Sequence, residues 1–218
     1  LPLEKRVKFT SHIFPDGLKE LFKYKKTIAF TFISDFITGS FMVYLSASQQ
    51  VFHTQYDLKE EFPFIFAGLA VAIGMATFLN GTFVLKFGME KMVTSSLIAF
   101  FGVSLIYIVL FNGTANPSIG VLLTFLGLQF FAIGFLFGNL RALAMEPIGH
   151  IAGIGAAITG FISTIMAVPI STFIGRFVFG TALPLFFGFL VCSALSIAIL
   201  IYLKSAKKRI KNTVEISN

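Results

Sequence analysis

Ile119-Gly-Val-Leu-Leu-Thr-Phe-Leu-Gly-Leu-Gln-Phe-Phe-Ala-Ile-Gly-Phe-Leu-Phe-Gly-Asn-Leu140 runs without a single charged side chain. A helix crossing a bilayer core about 30 Å thick needs roughly 20 mainly apolar residues, and this stretch supplies them. Outward from it, runs of the same character fall at residues 27–47, 62–85, 92–111, 151–173 and 182–203. With 56% hydrophobic and only 12% charged residues, the 218-residue chain cannot clothe itself in a water-soluble surface. The sequence therefore predicts an all-α integral membrane protein. A six-helix transmembrane bundle over 27–203 is flanked by an arm, 1–26, and a basic tail, 204–218. The six runs divide near 112–118 into two groups of three, the arrangement expected of three-helix repeats in one half of a transporter.

The net charge of +7 follows membrane topology, not nucleic-acid binding, because the basic residues gather on no polar module. Lys5, Arg6, Lys8, Lys19, Lys23, Lys25 and Lys26 lie in the arm. Lys86, Lys91, Arg141, Lys204, Lys207, Lys208, Arg209 and Lys211 fall on the same side if successive connections alternate. Only Lys59 and Arg176 fall on the other. The positive-inside rule then puts both ends of this segment in the cytoplasm. The amphipathic stretch 13–22 is expected to lie against anionic headgroups. Tyr24, Tyr44, Tyr56, Tyr107 and Tyr202 fall near predicted span ends and are expected to anchor there. The lone cysteine, Cys192, excludes a disulfide within the chain and reads as a packing residue. The chain starts at Leu1 without an apolar leader, and is expected to be a segment of a longer protein.

Polar residues inside the runs nominate the site. Asp35 is the sole acid well within a predicted span, about 12 Å along the helix from Thr27 at 1.5 Å per residue, and no basic residue is expected at that depth. An ionised carboxylate there is costly, so a group able to take up and release a proton has the property a coupling site requires. Thr31, Asp35, Thr38 and Met42 recur at helical spacing with Ser34 beside them, and form a candidate proton-coupling or substrate-facing stripe. Gln129 joins them as a residue that either orients a ligand or links helices. The third and sixth runs carry only hydroxyls and Cys192 as interior polar groups and are expected to face lipid, with the other four inside. His12, His53 and His150 are scattered, and no paired acids or metal-ligand spacing occur, so neither a metal, a cofactor nor an enzyme activity is expected.

Asn139-Leu-Arg-Ala-Leu-Ala-Met-Glu-Pro-Ile-Gly-His-Ile-Ala-Gly153, followed by Ala156 and Gly160, resembles a signature of the bicyclomycin-resistance type of multidrug exporters in the major facilitator superfamily. Leu1-Pro-Leu-Glu-Lys-Arg6 is similar to the end of their central cytoplasmic loop. Residues 81–91 are similar to the second copy of the superfamily's loop motif, with Gly81, Gly88 as its turn glycine, and Lys91. Leu85 replaces the motif's usual acid, and Gln49-Gln50 stands where Ser-Pro is usual. Arg141 departs from the small residue expected at its position, and the role of Asp35 is not one the resemblance supplies. The resemblance implies the C-terminal half of a twelve-helix, proton-coupled exporter of drug-like or hydrophobic small molecules in the bacterial inner membrane. Its N-terminal six-helix half would be the partner. It also marks Asn139, Arg141, Glu146, Pro147, His150 and Gly153 as cytoplasmic-loop and gating candidates. From the residues alone, Glu146, which precedes Pro147, and His150 cap or brace the start of the next helix, and a pH-sensing gate through the His150 imidazole stays open. Movement of a metabolite, or a half-length bundle that transports nothing, stays open on the sequence.

Cysteine accessibility in intact cells checks the orientation. Residues placed at 59 and 176 are expected to label from outside, and those at 91, 141 and 208 only after permeabilisation. Labelling of 91 and 176 from one side overturns it.

Overall fold

The computed structural model describes residues 13–113 and 116–216, with side chains over 15–113 and 116–206. Lys5, Arg6, Lys8, the match at residues 1–6, His12, and the side chains of Lys207, Lys208, Arg209 and Lys211 lie outside the described residues. Those described are helical and include no strand. A short helix, α1 (Ile13–Lys23), precedes α2 (Lys25–Gln50), which a π turn at Val51–Gln55 prolongs. Then come α3 (Phe62–Phe87), α4 (Met89–Phe111), α5 (Ile119–Met145), a 3-10 turn (Glu146–Ile151), α6 (Ala152–Gly175) and α7 (Leu183–Ile216).

Among the described residues, five continuous helical stretches are long and apolar enough to cross a membrane. The fourth, Ile119–Gly175, is 57 residues and holds both α5 and α6. Its continuity breaks at Ile148, whose φ of −112° and ψ of 23° leave the helical region one residue after Pro147. Gly88 alone separates α3 from α4 at φ 80°, a conformation that suits a residue without Cβ and fits its expectation as a turn glycine. Helix boundaries differ from the sequence reading chiefly where polar residues continue a helix. α5 runs on to Met145, so Arg141 lies inside it and not in a connection, and α7 continues as helix into the basic tail.

Two ends are distinct. At one, Lys26 reaches Glu90 and Glu146, at 3.4 and 2.7 Å, and Lys204 donates to Thr94 at 3.0 Å. At the other, Gln55 and Asn116 both donate to the Gly180 carbonyl at 2.9 Å, and the Tyr56 hydroxyl donates to the Pro117 carbonyl. Between these ends the packing is long-range. α2 lies against α5, α6 and α7, while α5 lies against α2, α3 and α4, and α4 meets α7.

Small residues and rings set these contacts. A Cβ on Gly134 would sit 2.6 Å from both the Ile73 carbonyl oxygen and the Ala76 Cβ, so α5 crosses α3 at backbone distance. Tyr44 of α2 meets Phe130 of α5 edge-on at 4.6 Å, and Tyr107 of α4 stacks on Phe186 of α7 at 3.6 Å. Both tyrosines are fully buried, which corrects their expected placement at the headgroups. The rings face the bundle axis, where aromatic partners await them, although their positions along the chain lie near span ends.

Burial within the bundle is uneven: α4 and α7 bury Val93, Leu97, Phe100, Phe186 and Phe189, whereas α3 buries only Leu69 and Ala76, and α6 only Gly155, Ile158 and Ala167. α4 and α7 nevertheless keep exposed apolar faces, with Ile106 and Val109 on one and Val191 and Ile201 on the other. The apolar face of α1 is claimed in part by protein. Leu21 is buried with Ile148 and Ile158, and Leu18 packs beside it, while Phe22 stays exposed.

Gly134→Ala is expected to destabilise the bundle by about 1–3 kcal/mol, the usual cost of overpacking, because backbone and not a flexible side chain must yield. Gly138→Ala, where the added methyl meets nothing, serves as the control. Thermal unfolding in detergent measures both. Equal melting temperatures would remove the α3–α5 crossing as a constraint.

Candidate functional site

Asp35 opens onto a small cavity of about 120 Å³ walled by α2, α5 and α6. Thr31 and Ser34 line it from α2, Arg141, Ala144 and Met145 from α5, and Ala156, Thr159, Gly160 and Ser163 from α6. Helical spacing explains the first wall, since residues 31, 34 and 35 share one face. Ala156 and Gly160 explain the third, because small residues leave the space that the cavity occupies.

Asp35 is 2% exposed, and its Oδ2 has no hydrogen-bond partner, as is true of the Thr31 hydroxyl. The Ser163 hydroxyl meets the carboxylate, and the Arg141 guanidinium lies near enough to act on it by charge. A basic residue thus does share the acid's surroundings, contrary to the sequence expectation. Arg141 sits four residues before the end of α5, and its long side chain reaches the cavity that its Cα position alone would not indicate. The signal was present as an arginine where a small residue was expected.

The remaining candidates separate. Thr38 is half-buried and Met42 exposed, and neither lines the cavity. Gln129 is fully buried elsewhere, donating from Nε2 to the Phe100 carbonyl at 3.1 Å and the Ser104 hydroxyl at 2.5 Å, so it links α5 to α4. Asn139 pairs with Asn80, its Nδ2 donating to Asn80 Oδ1 at 2.7 Å and to the Phe135 carbonyl at 2.9 Å, and joins α5 to α3. Asn80 was missed as its partner because the two lie 59 residues apart.

Glu146 opens the 3-10 turn with Pro147 in its first positions, and its ion pair with Lys26 ties that turn to the start of α2. His150 Nε2 lies 3.6 Å from Glu20 of α1, and its ring meets Tyr24 edge-on. A hydrogen bond from Lys23 holds the Glu20 carboxyl below its ordinary range against the opposing effect of burial, and the Lys23 and His150 charges add to it. Gly153 and Gly81 meet nothing within 4 Å of a built Cβ, and Lys91 is exposed.

A second cavity, about 510 Å³, lies between α6 and α7 and is walled by Ile170, Phe173, Ile174, Phe187, Val191 and Cys192 among others. It holds no ionisable group besides the buried Cys192 thiol. No group of three or more potential metal ligands occurs among the described residues.

Comparison with known proteins adds one relative. The bicyclomycin resistance protein homolog of Haemophilus influenzae is 25% identical over 206 residues, 93% of this chain and 50% of that protein. The chain therefore spans about half the length of the curated relative it matches. No protein-family model and no solved structure matches. This weak likeness agrees with the family resemblance, and with the apolar helices it supports a multi-pass membrane protein.

Replacing Gln129 by Leu is expected to lower stability by roughly 0.6–1.7 kcal/mol, the range for a hydrogen bond between membrane helices, and to leave ligand affinity of the full-length protein unchanged. Unfolding in detergent and equilibrium ligand binding distinguish a helix link from a ligand contact. An unaltered melting curve with weakened binding would reverse the assignment.

Proposed function

We propose that this chain is one six-helix half of a proton-coupled exporter of hydrophobic or amphipathic small molecules, working by alternating access in the bacterial inner membrane. The single observation that carries the reading is Asp35, a buried carboxylate with an unpartnered oxygen on a hydroxyl-lined cavity beside Arg141. In the folded half, protonation would cancel the acid's attraction to Arg141 and loosen α2 from α5. Deprotonation would restore that attraction. A proton would thereby be converted into a change of helix contact, the differential interaction that alternating states require.

Six crossings are supported by the turn that divides Ile119–Gly175 and by the gathering of alternate connections at opposite ends. Two three-helix repeats are supported by the packing, which is unchanged in pattern when α2, α3 and α4 are exchanged for α5, α6 and α7. The cavity at Asp35 is smaller than the roughly 300–1,000 Å³ of a drug-sized site. It therefore suits a proton and a few waters, and the substrate would be held where a second half, covering the exposed faces of α3 and α6, completes a larger chamber. The likeness to a bicyclomycin resistance homolog supports export of a drug-like compound.

Asp35→Asn in the full-length protein keeps shape and hydrogen bonding while removing titration. It is expected to fold and bind ligand but to lose gradient-driven efflux of cationic and neutral substrates alike. Loss confined to a cationic substrate would make Asp35 a recognition residue. Uphill transport at the wild-type rate would remove it from coupling.

A further inference from the structure

A third cleft, about 240 Å³, opens at the end of the bundle that holds Lys26, Glu90 and Glu146. Lys25, Lys26, Glu90 and Lys204 form its rim, and Phe30, Leu200, Leu203 and Ala206 its walls. It is assembled from the start of α2, the start of α4 and the last membrane turns of α7. We propose that this cleft binds one anionic phospholipid, the lysines holding the phosphate and the apolar walls an acyl chain.

Charge and shape together select this occupant. Three lysines face one carboxylate, leaving an excess of positive charge. Lys26 is already paired with Glu90 and Glu146, so the uncompensated cations are Lys25, which has no ion-pair partner among the described residues, and Lys204, whose only polar contact there is the Thr94 hydroxyl. Both are exposed and free to turn toward an anion. Below them the walls are almost wholly apolar, with Phe30 and Leu200 buried in the bundle core. A free phosphate would leave those walls wet, and a neutral lipid would leave the lysines unanswered. Basic clefts between membrane helices at headgroup depth meet both needs at once when a charged lipid enters from the side.

Among the described residues, Glu90 is the one acid that lines the cleft. The flanking segments, 1–12 and 207–218, carry more basic than acidic residues. Glu20 of α1 is held by Lys23 and His150. An occupant would also brace α2, the helix that carries Asp35, against α4 and α7. The site stands apart from the coupling cavity, whose walls are α2, α5 and α6, and it shares no residue with that cavity.

Native mass spectrometry of the detergent-purified protein, titrated with phosphatidylglycerol or phosphatidylcholine, tests the assignment. One phosphatidylglycerol per chain is expected to be retained in preference to phosphatidylcholine. The double variant Lys25→Gln with Lys204→Gln is expected to hold it roughly thirtyfold more weakly, from about fivefold per lysine. Leu203→Trp, which fills the apolar wall and leaves the charges, is expected to expel it as well. Lys86→Gln with Lys91→Gln, a charge-matched double change outside the cleft, should retain wild-type binding. Equal retention of the two lipids overturns the proposal, as does wild-type retention by the double variant. Displacement of the lipid by an equal concentration of inorganic phosphate would make the cleft a free-anion site and overturn the lipid assignment.

Discussion

Water is missing from the hydrocarbon core, and every peptide group that enters it must find its hydrogen bond within the chain. Helices meet that demand locally, and the rest of this architecture follows from it. Once the backbone is satisfied, helices have little hydrophobic reason to associate in lipid, so association depends on close packing and on the polar groups that lipid cannot serve. Gly134 against α3, Tyr107 stacked on Phe186, Gln129 bonded to α4 and Asn139 paired with Asn80 are such contacts. Three of the helix interfaces, α3–α5, α4–α5 and α4–α7, are thus held by a handful of residues whose alternatives in lipid are poor.

The same constraint explains why Asp35 stands out. A carboxylate in this setting is retained only beside groups that make it tolerable, here Ser163 and Arg141, and the unpartnered Oδ2 shows that the compensation is incomplete. Incomplete compensation is what the proposed coupling role requires of this group. Complete compensation, as in the Asn80–Asn139 pair, gives a fixed strut. The site and the struts use similar residue types and differ in how fully their partners answer them.

The basic end combines two roles that the charge count alone merges. Lys26 is an organising residue, fastening the starts of α2 and α4 to the turn before α6. Exposed ion pairs of this kind contribute modestly to stability, about 0–1 kcal/mol each, so their value lies in holding three chain segments in register. Lys25 and Lys204 are the unspent charges, and their position over apolar walls is what the proposed lipid site rests on.

Much was legible in the sequence. Uncharged runs of about 20 residues determined that the chain is helical and membrane-embedded, because the bilayer sets a length and forbids unpaired backbone. The isolation of one acid among such runs singled out Asp35, since burial of a carboxylate is rare enough to be informative by itself. Residues one helical turn apart, Thr31 and Ser34 with Asp35, were legible as one face because a single helix decides that geometry. What lay across from that face was decided only by the tertiary structure. Arg141 and Ser163 reach the cavity from helices more than 100 positions away in the chain, and Lys25 and Lys204 meet over one cleft from opposite ends of it. Local periodicity tells which way a side chain points around its own helix. Only the packing of one helix on another tells what it points at.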